Sequence, residues 1–249
     1  MQTLYTLREV ESSLQRKSWW AMLFILPFAR RLSLFFINRT NISPNAITLG
    51  SFLFIIGAAV AFCSGCYSGL VIGAILFEIN YLFDCVDGTV ARVKKLASPL
   101  GAYLDPMLDR WRIVILTLAL AWGQYTSRDS MTVVLLLFLY LGLNNLILFT
   151  RSAQEKAILK MGRGETLGVD LARSTSKNGI VSWWFDVTSK RNMMPYYHDI
   201  ELDALVFVVG PLLNQVVPCL IAANLLACTL LLALNIMFLV SLKKWKENY

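Results

Sequence analysis

The sequence predicts an all-α integral membrane bundle of six transmembrane helices, preceded by amphipathic and interfacial helices. Three observations point there. The 249 residues are 57% hydrophobic with a mean hydropathy of +0.58, well above the apolar share of a soluble domain. Several runs approach or exceed the roughly 18–20 apolar residues that span a bilayer. Of the 23 Lys and Arg residues only Arg128 falls in a connection expected outside, the others lying mainly at the two ends and in the connections expected inside. That asymmetry is the positive-inside pattern, with both termini cytoplasmic. The net charge of +7 therefore faces anionic headgroups, and nucleic acid is not the partner it implies.

Residues 1–42 read as an interfacial N-terminal segment and 43–249 as one membrane domain. In residues 2–17, Leu4, Leu7, Val10 and Leu14 recur at helical spacing among polar residues, which predicts a helix on the membrane surface anchored by Trp19 and Trp20. Met22 to Ile37 is apolar but interrupted by Pro27 and Arg30-Arg31, so it is expected to lie at the interface. Ser43-Pro44 opens the first span, to Cys63, as a cap followed by a first-turn proline. Cys63 and Cys66 form a C-x-x-C at its outer end, where a disulfide is possible without any redox context.

The second span starts near Gly69. The third begins at Ser98-Pro99, again a cap and a proline, and ends near Trp122. The fourth runs from Met131 to Thr150, with Asn144 and Asn145 as interhelical hydrogen-bonding groups. A long cytoplasmic connection follows over 151–200, its first part, through Lys160, extending the fourth helix. Trp183-Trp184-Phe185 returns the chain to the interface, and His198 reads as an interfacial residue. The fifth span, Leu202 to Val217, should kink at Gly210-Pro211, and the sixth covers Leu220 to Leu242. Neither of these two is expected to offer an ionisable group for chemistry.

Within this apolar chain, four acids stand close together: Asp84, Asp87, Asp105 and Asp109. A carboxylate at membrane depth costs at least about 2.5 kcal/mol, so it marks function by default. Spacings of three and four residues put each pair on one helix face. Counting along the second and third spans brings both pairs to similar depth near the cytoplasmic side. Two such faces turned together make a four-carboxylate cup, which must hold cations or stay partly protonated. Oxygen ligands without His or Cys favour Mg²⁺, Mn²⁺ or Ca²⁺.

The pattern D-x2-D-G-x2-A-R-x8-G-x3-D-x3-D, read from Asp84, Asp87, Gly88, Ala91, Arg92, Gly101, Asp105 and Asp109, resembles the signature of the CDP-alcohol phosphotransferases at all its defining positions. The resemblance implies a six-helix membrane enzyme that works as a homodimer in phospholipid synthesis. It implies a CDP-linked alcohol donor, often CDP-diacylglycerol, whose phosphorus is attacked by an acceptor hydroxyl with release of CMP. It assigns Asp84, Asp87 and Asp105 to two divalent cations, Mg²⁺ or Mn²⁺, and Asp109 to metal contact and to general base catalysis. Asp84, Gly88, Ala91, Arg92 and Gly101 would surround the nucleotide, as would Asn45 and Thr48 of a Pro-Asn-x-x-Thr element at Pro44. A cap and a polar first turn explain those last residues equally well.

The acceptor is expected to be a small polar alcohol in a basin near Arg110, Arg112, Arg151 and Lys156. Cations there suit an anionic alcohol such as inositol phosphate or glycerol phosphate, and also satisfy the positive-inside rule. Rival readings are a soluble CDP-alcohol donor with a lipid or polyol acceptor, a cation-coupled transporter using the acids as its ion site, and an intramembrane prenyltransferase. A purely structural set of ion pairs with Arg92, Lys94, Lys95, Arg110 and Arg112 would leave Gly88 and Gly101 unexplained.

Overall fold

A computed structural model describes residues 4–14, 18–160, 183, 187–188, 193–194 and 196–247. The expectation for Trp184-Phe185 lies outside those residues. The described elements are helical: α1 (Leu7–Ser12), α2 (Ala21–Arg39, opening with a π turn at Ala21–Ile25), α3 (Pro44–Cys63), α4 (Tyr67–Val93), α5 (Pro99–Arg128), α6 (Met131–Lys160), α7 and α8 (Val216–Glu247). The seventh comprises Asp199–Ala204, a π turn at Leu205–Val209 and Gly210–Leu212.

The helix starts follow the sequence signals. Ser43 Oγ accepts from the Ala46 amide at 3.3 Å, Ser98 Oγ from Gly101 at 3.0 Å, and Pro44 and Pro99 sit in first turns where no amide is needed. Cys66 caps α4 through its sulfur, and both it and Cys63 are free thiols. The fourth helix continues through Lys160 as expected.

By length and composition, five helices can cross a membrane: Ala21–Arg39, Pro44–Cys63, Tyr67–Val93, Met131–Leu159 and Val216–Val240. The first of these is one continuous helix where the sequence suggested an interruption at Pro27, and its length and composition are those of a span. Pro27 sits in the first turn of the α-helical part, directly after the π turn, where its missing amide does not interrupt the helix. Arg30 is answered by Glu11 of α1 at 2.6 Å. The N-terminal helix is also shorter than predicted. Tyr5 precedes it, held to α2 by two bonds with the Asn38 side chain, each 3.0 Å.

Three of the six expected spans differ from expectation. α5 runs past Trp122 to Arg128, but with Asp105, Asp109, Arg110 and Arg112 it is less apolar than those five helices. α7 ends at Leu212 instead of kinking through Gly210-Pro211. Asn214 adopts a left-handed φ of 53° and the Gln215 amide closes a turn on Gly210 at 2.8 Å, so α8 starts at Val216 rather than Leu220. With residues 199–212, α7 is only ~21 Å long.

α3 packs along both α4 and α5, α2 lies on α4, and α6 pairs with α8. The tight places are backbone contacts: a Cβ on Gly123 of α5 would collide with the Phe62 carbonyl of α3, the close approach that small residues permit between membrane helices. Buried Phe62, Leu70, Leu120, Leu137, Tyr140 and Phe207 fill the main core, while Leu53, Val60, Leu135, Phe149, Leu225 and Leu232 face outward. A second cluster, with Val10, Ile25, Ile37, Ile47, Tyr81 and Val86, ties the N-terminal helices to the C-terminal half of α4. That half carries Asp84 and Asp87.

Candidate active site at the junction of α3, α4 and α5

The C-terminal end of α4 and the N-terminal ends of α3 and α5 meet at one end of the bundle. Asp84 lies nine residues before Val93 and Asp105 six after Pro99, roughly 14 and 9 Å along their helices. Carboxylate oxygens of Asp84, Asp87 and Asp105 come within 4.8 Å of one another. Asp87 is buried, Asp84 half-buried and Asp105 exposed, so the triangle opens at the Asp105 side. Asp109, expected in the same cup, is not part of the triangle. Its Oδ1 pairs with Arg112 Nη2 at 3.0 Å, one helical turn on.

Arg112 is itself fixed. It is 7% exposed, donates from Nη1 to Asn80 Oδ1 at 3.2 Å, and lies over the Phe77 ring with its guanidinium carbon 5.6 Å from the centroid. It faces Asp109 and the core of α4, so it does not join the other three cations of the expected acceptor basin. Arg110 and Arg151 do converge: Arg151 Nη1 donates to Asp199 Oδ1 at 3.0 Å, and Arg110 Nη2 stands 4.0 Å from Asp199 Oδ2. Lys156 is exposed further along α6.

The expected nucleotide-side residues fall around the triangle. Thr48 Oγ1 donates to Asp87 Oδ2 at 2.5 Å, so the start of α3 orients a carboxylate of α4. Asn45, one turn earlier, abuts Gly101: a Cβ there would stand 2.9 Å from Asn45 Oδ1. Arg92 folds back over Gly88, where a Cβ would stand 3.2 Å from Nη1, and its Nε donates to the Ser13 carbonyl at 3.0 Å. Arg92 thereby docks the N-terminal segment beside the site. Ala91 is half-buried, and its carbonyl accepts from Leu96 at 2.8 Å to close the α4–α5 turn.

A family model described as CDP-alcohol phosphatidyltransferase matches residues 41–173, which is 133 of the 249 residues and includes the whole triangle. The chain belongs to the CDP-alcohol phosphatidyltransferase family. Among curated relatives, the archaetidylinositol phosphate synthase of Aeropyrum pernix is 40% identical over 75 residues, 30% of this chain and 37% of that protein. The synthase of the same name from Methanothermobacter thermautotrophicus is 28% identical over 165 residues, covering 64% of this chain and 80% of the relative. Across five other curated relatives it matches, the chain spans 15–59% of their length. The crystal structure of Mycobacterium tuberculosis phosphatidylinositol phosphate synthase in complex with manganese and citrate superposes with a TM-score of 0.55 at 22% identity, over 88% of each chain. It shows the same fold.

For this family member, sequence reasoning missed the acids of α7. Asp203 is 4% exposed and accepts from Tyr140 Oη at 2.5 Å and from Asn144 Nδ2 at 3.2 Å, so the fifth helix does carry ionisable groups. Asn144 bridges helices as expected, also accepting from Arg110 at 2.5 Å, whereas Asn145 bonds only back to Leu141 of its own helix in the contacts described. Trp20, expected as an interface anchor, donates its indole N–H to Glu78 Oε1 of α4 at 3.0 Å and its amide to Glu201 Oε1 at 3.3 Å. His198, expected at the interface, also has a specific partner. It meets Arg151 Nη2 through Nδ1 at 3.0 Å at the start of α7.

Proposed function

We propose that this protein transfers a substituted phosphoryl group from a CDP-linked alcohol, CDP-diacylglycerol, to the hydroxyl of a small polar alcohol, releasing CMP in membrane lipid synthesis. The observation that carries the reading is the convergence of Asp84, Asp87 and Asp105 within 4.8 Å, with Asp109 and its Arg112 clamp beside them. Relatives named as lipid inositol phosphate synthases support a nucleotide-activated lipid donor.

The three carboxylates are an all-oxygen donor set with one buried member, which fits Mg²⁺ or Mn²⁺. When bound, two such ions neutralise a diphosphate and stabilise the charge that develops on its oxygens. The chain's own residues do the rest. Thr48 fixes the orientation of Asp87. Gly88 and Gly101 leave room for a nucleotide beside α4 and α5, and Arg92 and Asn45 border that space. Arg112 holds Asp109 so that its free oxygen can take the acceptor's hydroxyl proton as the new O–P bond forms and the bond to CMP breaks. The distribution of basic residues along the chain supports a cytoplasmic position for this end of the bundle and for both termini. By family resemblance the working form is a homodimer.

The test is to incubate purified protein with Mg²⁺ or Mn²⁺, a panel of CDP-linked donors and a panel of alcohols, and to identify products by mass spectrometry. CMP together with a new phosphodiester lipid is expected. No CMP with any donor and acceptor refutes the proposal.

A further inference from the structure

Beside the base, the ends of α5, α6 and α7 share a polar network outside the signature motif. Arg110, next in sequence to Asp109, donates to Asn144 and approaches Asp199. Arg151 donates to the other oxygen of Asp199. Asn144 and Tyr140 donate to Asp203. Asp203 and Arg112, the clamp on Asp109, border the same small void of about 10 Å³. The network therefore adjoins Asp109 through its sequence neighbour Arg110 and its ion-pair partner Arg112.

A phosphorylated acceptor brings a second phosphate with up to two negative charges, and needs cations free to receive them. The two arginines placed for that purpose are already matched by acids: Arg110 and Arg151 face Asp199, with Asp203 one turn further along α7. An incoming phosphate would have to displace the Asp199 carboxylate or sit beside it, and like charges at such a distance cost several kcal/mol. His198 Nδ1 faces an arginine N–H at 3.0 Å and must accept from it, which leaves the ring proton on Nε2. That nitrogen is buried with no hydrogen-bond partner among the described residues, a donor available to an oxygen of the acceptor.

We infer that the acceptor is an alcohol without a phosphate of its own, a neutral polyol or amino alcohol, and that Asp199 is the residue that selects it by occupying Arg110 and Arg151. The inference rests on the phosphotransfer reading above. It departs from these relatives, which are named as lipid inositol phosphate synthases.

The experiment compares matched acceptors, inositol against inositol monophosphate and glycerol against glycerol phosphate, with CDP-diacylglycerol and Mn²⁺, in wild type and Asp199→Asn. Wild type is expected to favour the unphosphorylated member by at least about tenfold in kcat/KM, about 1.4 kcal/mol, and to resist inhibition by inorganic phosphate. Asp199→Asn is expected to narrow or reverse that preference and to be inhibited at roughly tenfold lower phosphate. A wild type that prefers the phosphorylated member overturns the inference, and wild-type data decide alone should the variant not fold. An unchanged preference in a folded Asp199→Asn overturns the role of Asp199. If CMP forms with neither class, the phosphotransfer reading falls and this inference with it; CMP from phosphorylated acceptors alone overturns only this one.

Discussion

Thr48 Oγ1 lies 2.5 Å from Asp87 Oδ2, so a hydroxyl in the second turn of α3 holds the one buried acid of the carboxylate triangle on α4. Groups that orient a metal-binding carboxylate typically contribute about 10–100-fold in metal affinity or activity. Thr48→Val is expected to raise the Mn²⁺ concentration needed for half-maximal CMP release by that factor. Thr48→Ser should stay within a few-fold of wild type. Stability should fall by only about 1 kcal/mol in Thr48→Val, the net worth of one hydrogen bond.

Asp109→Asn keeps the shape of the side chain and removes its basicity, and Asp84→Asn removes one charge from the triangle. Each is expected to abolish CMP release, by at least about 10²-fold for the base, while the protein still inserts and elutes as a folded species. Full activity in either variant would contradict the assignment.

Two glycines of α5 separate function from folding. At Gly101, an added methyl meets the end of the Asn45 side chain, which can swing aside. Gly101→Ala should therefore fold and raise the KM for the CDP donor. At Gly123 the methyl meets the Phe62 carbonyl, part of a rigid backbone. Gly123→Ala should lose on the order of 3 kcal/mol, the upper end of ordinary overpacking, seen as a lower unfolding temperature in detergent.

Burial, followed by the positive charge of Arg151, holds the pKa of His198 down at about 4 from its ordinary 6.5, with Asp199 pulling weakly the other way. The unfolded chain takes up this proton near 6.5 and the folded chain only near 4, so between these values the unfolded state binds more protons. The stabilisation from keeping His198 neutral is complete above pH 6.5 and is lost as the pH falls toward 4. Thermal unfolding from pH 7.5 to 4.5 should show this decline, and His198→Gln should flatten it. An unchanged slope in that variant would assign the decline to other groups.

How much of this was legible beforehand depends on how far each relationship reaches along the chain. Ser43 and Ser98 cap their helices within three residues, and the spacings Asp84 to Asp87 and Asp105 to Asp109 fix helix faces within one turn, so periodicity alone exposes them. Pro27 misled because a local rule for breaking helices was overridden by a π turn just before it. Glu78 gave no signal, since its partner Trp20 is 58 residues away.

The sequence by itself determined the solvent this protein lives in, the helical class, the starts of α3 and α5, and the acids that face one another, because each depends on composition or on spacing within a few residues. Only the tertiary structure decided that three acids form the triangle while Asp109 turns to Arg112. It alone brought Asp199, 48 residues past Arg151 and 89 past Arg110, between the two arginines. The physical reason is that charge pairing between helices depends on which faces the packing turns together. No periodicity within one helix encodes its partner's angle.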